Sequence, residues 1–303
     1  MKSDILCPPR GLVDVVLDTD AYNEIDDQFA IAYLLRSADR LRTVALYAAP
    51  FFNSNSESAC DGMEKSYGEI FKILSLCDRD DLSGSVYRGS TDYLESEHTP
   101  IFSDAARDLA ERAMKYTADE PLYVVAIGAI TNIASALLIN PEIKNRIAVV
   151  WLGGHSLEYN SVNEFNMVQD IAAARVVMSS GVPFVQLPCC GVVSEFRISE
   201  ADLDTWLIGK TVLSDYLAQN TKRAANSYAK GKPWTRVIWD VCAVAWLLND
   251  GDKFMRTRKI KTHLPEYGKN SGYEREPLDI DMCYVYYIRR DELMEDLFLK
   301  ILR

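Results

Sequence analysis

Strand-length apolar runs alternate with segments whose apolar positions recur at helical spacing, and the alternation persists through the first 190 residues. It predicts strands at Val13–Leu17, Thr43–Ala48, Leu122–Ala126, Ile147–Trp151 and Phe184–Leu187. Helices are predicted between them at Asp26–Arg36, Glu57–Leu76, Ser103–Tyr116, Thr131–Leu138 and Ile171–Ser179. Such alternation implies an α/β fold, a mainly parallel open sheet flanked by helices. The C-terminal third reads as more helical, at Ser199–Ile208, Thr211–Tyr228 and Val241–Leu248. A late strand, Asp281–Ile288, precedes a last helix, Asp291–Ile301. Glu266–Glu276 is polar and Gly-containing and reads as a surface loop. No Pro/Gly/Ser linker, repeat or low-complexity tract interrupts the pattern, so residues 1–303 are expected to form one domain.

Composition narrows the partners. With 303 residues, 48% of them hydrophobic, the chain can bury a large core. Its formal charge of −11 and the lack of a basic stripe argue against nucleic acid. No apolar run approaches the roughly 20 residues needed to span a bilayer. The opening MKSDILCPPRG lacks the apolar region of a secretory signal. Seven cysteines, an odd number without a C-x-x-C pair, fit reduced thiols. A cytoplasmic protein with no membrane partner is the expectation.

The chemistry concentrates in Val13–Leu35, VDVVLDTDAYNEIDDQFAIAYLL. Asp18-Thr19-Asp20 ends the first strand, and Asp26-Asp27 opens the first helix. Side chains alternate along a strand, so Asp18 and Asp20 share a face. Asp26 and Asp27 fall where a helix N-terminus favours negative charge. That dipole does not hold four neighbouring carboxylates unaided. A hard cation does, and oxygen ligands suit calcium or magnesium. The cluster also lies at the carboxyl end of a strand, where open α/β sheets bind ligands. His98, His155 and His263 are isolated, with no H-E-x-x-H, so zinc finds no support. Asp-x-Asp after a first strand also occurs in magnesium-dependent phosphatases of the haloacid-dehalogenase type. Those enzymes do not place an Asp-Asp pair so soon afterwards.

Asp18-Thr19-Asp20 with Asp26-Asp27 resembles the Asp-x-Asp-(Pro-Gly)-x-Asp-Asp signature of the inosine/uridine-preferring nucleoside hydrolases. Here Ala21-Tyr22-Asn23-Glu24-Ile25 replaces a three-residue spacer, an insertion of two residues. Three further segments match in order. Ile127-Gly128-Ala129-Ile130-Thr131-Asn132 resembles the family's Gly-Pro-Leu-Thr-Asn turn. Glu164-Phe165-Asn166, with Asp170 and Ala172–Ala174, resembles its Glu-Phe-Asn segment, and Trp239-Asp240 its His-Asp or Trp-Asp pair.

The resemblance implies one calcium ion held by Asp20, Asp27, Asp240 and the backbone carbonyl of Ile127. It implies a calcium-activated water with Asp20 as general base, attacking C1′ of a ribonucleoside to release base and ribose. Asp26, Glu164 and Asn166 match sugar-contacting positions within a substrate site that includes Phe165, with Asn23 and Asn53 as further contacts. Trp239 stands where many relatives carry a base-protonating His, which resembles the purine-preferring branch, an aromatic ring stacking on the departing base. Trp234, Tyr22, Phe52, Tyr159 and Tyr228 are candidates for the opposite wall. Gly153-Gly154-His155 is expected to border the same pocket, next to a compact loop, Ser156–Asn163. A homodimer or homotetramer is implied as well. A non-catalytic, calcium-stabilised binding protein on the same scaffold is the remaining alternative.

Overall fold

The computed structural model describes residues 6–268 and 271–303. Strands β1 (Val13–Thr19), β2 (Leu41–Ala48), β3 (Val86–Arg88), β4 (Leu122–Ala126), β5 (Ile147–Leu152) and β6 (Phe184–Leu187) follow in chain order. After them come β7 (Arg197–Ser199), β8 (Thr235–Val237), β9 (Met255–Lys261) and β10 (Asp281–Ile288). Eight of these form one sheet in the order β3-β2-β1-β4-β5-β6-β10-β9, while β7 and β8 pair separately. Every neighbouring pair in the large sheet is parallel except β10 with β9. The mainly parallel α/β architecture read from the alternation is the one observed.

The central strands are Val-rich and buried along nearly their whole length, as strands covered on both faces must be. Alternation splits their side chains between two cores. Val15, Leu17, Val125 and Val150 face one, and Val16, Val124, Val149 and Trp151 face the other.

Helices α1 (Asp26–Leu35), α2 (Ala59–Leu76), α3 (Asp104–Arg112), α4 (Thr131–Ile139), α5 (Phe165–Gln169) and α6 (Ile171–Ser179) lie between the first six strands. The C-terminal part adds α7 (Glu200–Trp206), α8 (Val212–Ala229), α9 (Val241–Trp246) and α10 (Arg290–Ile301). Two of these position the site. All residues of α1 and α9 are buried, and the two helices pack on each other. Helices apolar all round belong in a protein interior. Their packing brings the N-terminus of α9, with Asp240, to the N-terminus of α1.

The structure adds elements that the pattern misses. β3, β7 and β8 are three residues each, too short for a periodic signal. β9 reads MRTRKIK, the cationic composition of a protected sheet edge rather than of an apolar strand. The helix predicted over Ser103–Tyr116 stops at Arg112 and tightens into a 3₁₀ turn at Ala113–Lys115. Within the expected loop Glu266–Glu276, Lys269 and Asn270 lie outside the described residues, as do residues 1–5 of the N-terminal segment. That loop is not purely superficial, because Tyr273 turns inward. Its hydroxyl donates to the His155 carbonyl at 3.0 Å and accepts from Gln186 at 2.8 Å. Among the described residues no helix is long and apolar enough to cross a membrane.

Candidate active site

The strand order reverses between β1 and β4, and there the chain leaves both strands together. Ile127 N–H donates to the Asp18 carbonyl at 2.9 Å, and Ala49 N–H to the Thr19 carbonyl at 2.8 Å. Such a switch point opens a crevice beyond the carboxyl ends of the strands. Asp20 lies in it, followed by a tight turn closed from Asn23 N–H to the Asp20 carbonyl at 2.7 Å.

Asp26, Asp27 and Asp240 each offer one carboxylate oxygen, all within 4.8 Å of one another, and all three are buried. Thr19 Oγ1 donates to Asp27 Oδ1 at 2.5 Å. Asp20 is also buried, and among the described residues neither of its carboxylate oxygens finds a hydrogen-bond donor. Gly128 is required beside it: a Cβ there would stand 2.9 Å from Asp20 Oδ1.

Asp18, left without a role by the motif reading, sits in a polar staple. Its Oδ1 accepts from Asn132 Nδ2 at 2.8 Å, while Oδ2 is buried and unpaired among the described residues. The same Asn132 amide accepts from Ser90 N–H at 2.7 Å, joining the ends of β1 and β3.

Without a cation this cluster resists ionisation. Burial pushes the Asp18 carboxyl up to about 7, against the Asn132 hydrogen bond. Burial likewise raises Asp27 to about 7, against hydrogen bonds from Thr19 and Asp240. Asp20 rises through burial and the charges of Asp27 and Asp26, and Asp240 through burial and the charges of Asp26, Asp27 and Asp20. Asp26 rises through burial, then the charges of Glu24 and Asp27. Buried like charges with unpaired oxygens are what a divalent cation relieves. An all-oxygen donor set suits a hard cation. The residues fit the metal.

The sugar-side candidates fall into two groups. Asn53 Nδ2 donates to Asn23 Oδ1 at 2.5 Å, so these two residues meet. Asn166 Nδ2 donates to the carbonyls of Ile127 at 3.1 Å and Leu152 at 3.0 Å. Glu164 caps α5, accepting from Asn166 and Met167 N–H, and it also accepts from Gly154 N–H at 2.8 Å. The Cys189 side chain is a further hydrogen-bond partner of this buried carboxylate. Gly154 has φ +73, and a Cβ there would meet the Tyr273 hydroxyl, which explains the glycine. Phe165 and Trp239 are half-buried, and Trp239 packs against the core beside Asp240. The central turn and the Glu-Phe-Asn segment are joined where Thr131 Oγ1 donates to Asp170 Oδ2 at 2.7 Å.

None of the histidines joins the acids. His98 is exposed, His155 Nδ1 accepts from Cys190 N–H at 3.4 Å, and His263 Nδ1 pairs with the Glu274 carbonyl. Tyr22, Phe52, Tyr159 and Tyr228 are exposed, and Trp234 is half-buried. The sequence reading missed Tyr93. Its hydroxyl donates to Gln169 Oε1 at 2.5 Å and is held protonated by burial and the nearby Asp20 charge. No residue spacing signals that contact.

Comparison with known proteins decides the family. The family model described as inosine-uridine preferring nucleoside hydrolase matches residues 15–281. The chain belongs to this family. It is 29% identical over 255 residues to a non-specific ribonucleoside hydrolase, RihC, of Salmonella typhimurium, covering 77% of this chain and 78% of that one. It is 26% identical over 265 residues to a pyrimidine-specific ribonucleoside hydrolase, RihA, of Enterobacter sp. strain 638, with the same coverage. The fold is shared with a purine-preferring ribonucleoside hydrolase from Gardnerella vaginalis, at TM-score 0.75 and 20% identity, covering 95% of this chain and 98% of that one. The nucleoside hydrolase match sets aside the phosphatase alternative. The resemblance drawn from four short motifs therefore extends over most of the chain.

Proposed function

We propose that the chain hydrolyses the N-glycosidic bond of ribonucleosides, with purines favoured, using one calcium ion held by Asp20, Asp27, Asp240 and the Ile127 carbonyl. The observation that carries this reading is the buried, unpartnered Asp20 carboxylate beside three converging acids. A calcium ion bound there supplies Lewis-acid polarisation of a water molecule. The protein does the rest. Asp20 accepts a proton from the attacking water as general base. The water oxygen bonds to C1′ as the C1′–N bond breaks, and the base leaves with that electron pair. The surrounding carboxylates stabilise the oxocarbenium-like charge. Asp26, Glu164, Asn166, Asn23 and Asn53 bind sugar hydroxyls, which makes the site demand a ribosyl unit.

The purine preference rests on Trp239, an indole beside Asp240 in place of a protonating His. Stacking on the base stabilises the cationic purine as solvent protonates it. The relatives named above include a pyrimidine-specific and a non-specific enzyme, so base choice is set locally rather than by family membership. Because Asp20 and Asp240 must meet, residues 1–303 act as one domain in this reading. Asp20→Asn tests the base assignment: kcat on inosine is expected to fall at least about 100-fold with unchanged circular dichroism. Activity near wild type would show that Asp20 is not the base.

A further inference from the structure

The loop Ala21–Ile25, where this chain departs from the family's spacing, is held from two sides. On one side Asn23 Oδ1 accepts from Asn53 at 2.5 Å, and the Asn23 carbonyl accepts from Asn55 Nδ2 at 2.8 Å. On the other, Arg236 donates from its guanidinium to Glu24 Oε2 at 2.5 Å. Arg236 lies on β8, three residues before Trp239. The ion pair therefore joins the loop that leads into Asp26 to the strand that leads into Trp239 and Asp240.

The pair is not an ordinary surface contact. The Arg236 side chain is only 20% exposed against 45% for Glu24, and its Nε–H is buried without an acceptor among the described residues. The guanidinium also rests 5.8 Å from the Tyr228 ring centroid. An exposed pair contributes little to stability, whereas a mostly buried arginine depends on its partner. Removing Glu24 releases the loop on this side and leaves the guanidinium to Tyr228 and the Asp26 charge.

We propose that the Glu24–Arg236 ion pair is a clasp that positions Asn23 and Asn53 to receive a ribose hydroxyl, making it a specificity determinant for the ribosyl unit. The proposal rests on the hydrolase reading only in taking ribose as the bound sugar. Arg236 and Glu24 are positioning residues. They act through the loop, not on the reacting atoms.

The test is calorimetric titration of D-ribose in calcium-containing buffer, with kinetics on inosine alongside. Arg236→Gln and Glu24→Gln are each expected to weaken ribose affinity about tenfold. Their KM for inosine rises by a similar factor, and kcat changes by no more than about twofold. The double variant loses no more than either single one, because both break one contact. Arg236→Lys recovers most of the affinity. Unchanged affinity, additive losses, or affinity that falls only in step with melting temperature would overturn the clasp. So would wild-type protein that binds no ribose. Wild-type protein that binds ribose but releases no base overturns the hydrolase reading and leaves the clasp standing. Normal turnover with ribose affinity indifferent to both substitutions does the reverse.

Discussion

Gly128 backs onto Asp20 so closely that a Cβ at position 128 would fall 2.9 Å from Asp20 Oδ1 and 3.2 Å from the Ala49 methyl. The neighbour that must yield is the buried Asp20 carboxylate itself. Gly128→Ala is therefore expected to displace the proposed general base. An error of about 1 Å in such a group costs on the order of 100-fold in rate. Steady-state kinetics should show that loss in kcat with native circular dichroism. Turnover within about threefold of wild type would mean that the Asp20 position is not critical.

Trp239 offers a second test. If the indole stacks on a departing purine, Trp239→Ala removes an interaction of about 1–3 kcal/mol with the base. The expected result is a fall in kcat of about tenfold or more for inosine and guanosine, and a smaller one for uridine and cytidine. Equal losses on all four would assign Trp239 to packing against the core it touches.

The acid cluster makes a prediction about pH. Asp18 and Asp27 titrate near 7 in the metal-free folded protein, against about 3.9 for an unfolded Asp. Between those values the folded chain holds protons that the unfolded chain has lost, so metal-free stability falls as pH rises from about 4 to about 7. Calcium, which binds the ionised form, should reverse the trend. At a hundredfold excess over its dissociation constant a ligand adds about 2.7 kcal/mol, several degrees of melting temperature. Thermal melts with chelator should thus show a lower melting temperature at pH 7.5 than at pH 5, and calcium should raise it most at the higher pH. A chelated protein more stable at pH 7.5, or one indifferent to calcium, contradicts the metal assignment.

The acids on α1 were legible because periodicity and carboxylate clustering are both local signals. Val15–Leu17 announces a buried strand, and Asp26-Asp27 announces a helix start. Asp240 was reachable only through its resemblance motif, since nothing local says that α9 packs on α1. Asn132 stood inside a quoted motif, yet its bond to Ser90 depends on where β3 ends, and β3 is too short to predict. The Glu24–Arg236 pair and the Tyr93–Gln169 contact join residues far apart in sequence. Their side chains carry no periodic or motif signal, so only the folded chain reveals them.

The most direct measurement is ribose release from inosine, guanosine, uridine and cytidine by purified protein, with and without a chelator. Ribose release that is fastest from the purines, lost on chelation and restored by calcium is the predicted result. Release from none of the four in the presence of calcium would contradict it, and together with calcium-dependent melting would favour the non-catalytic scaffold instead.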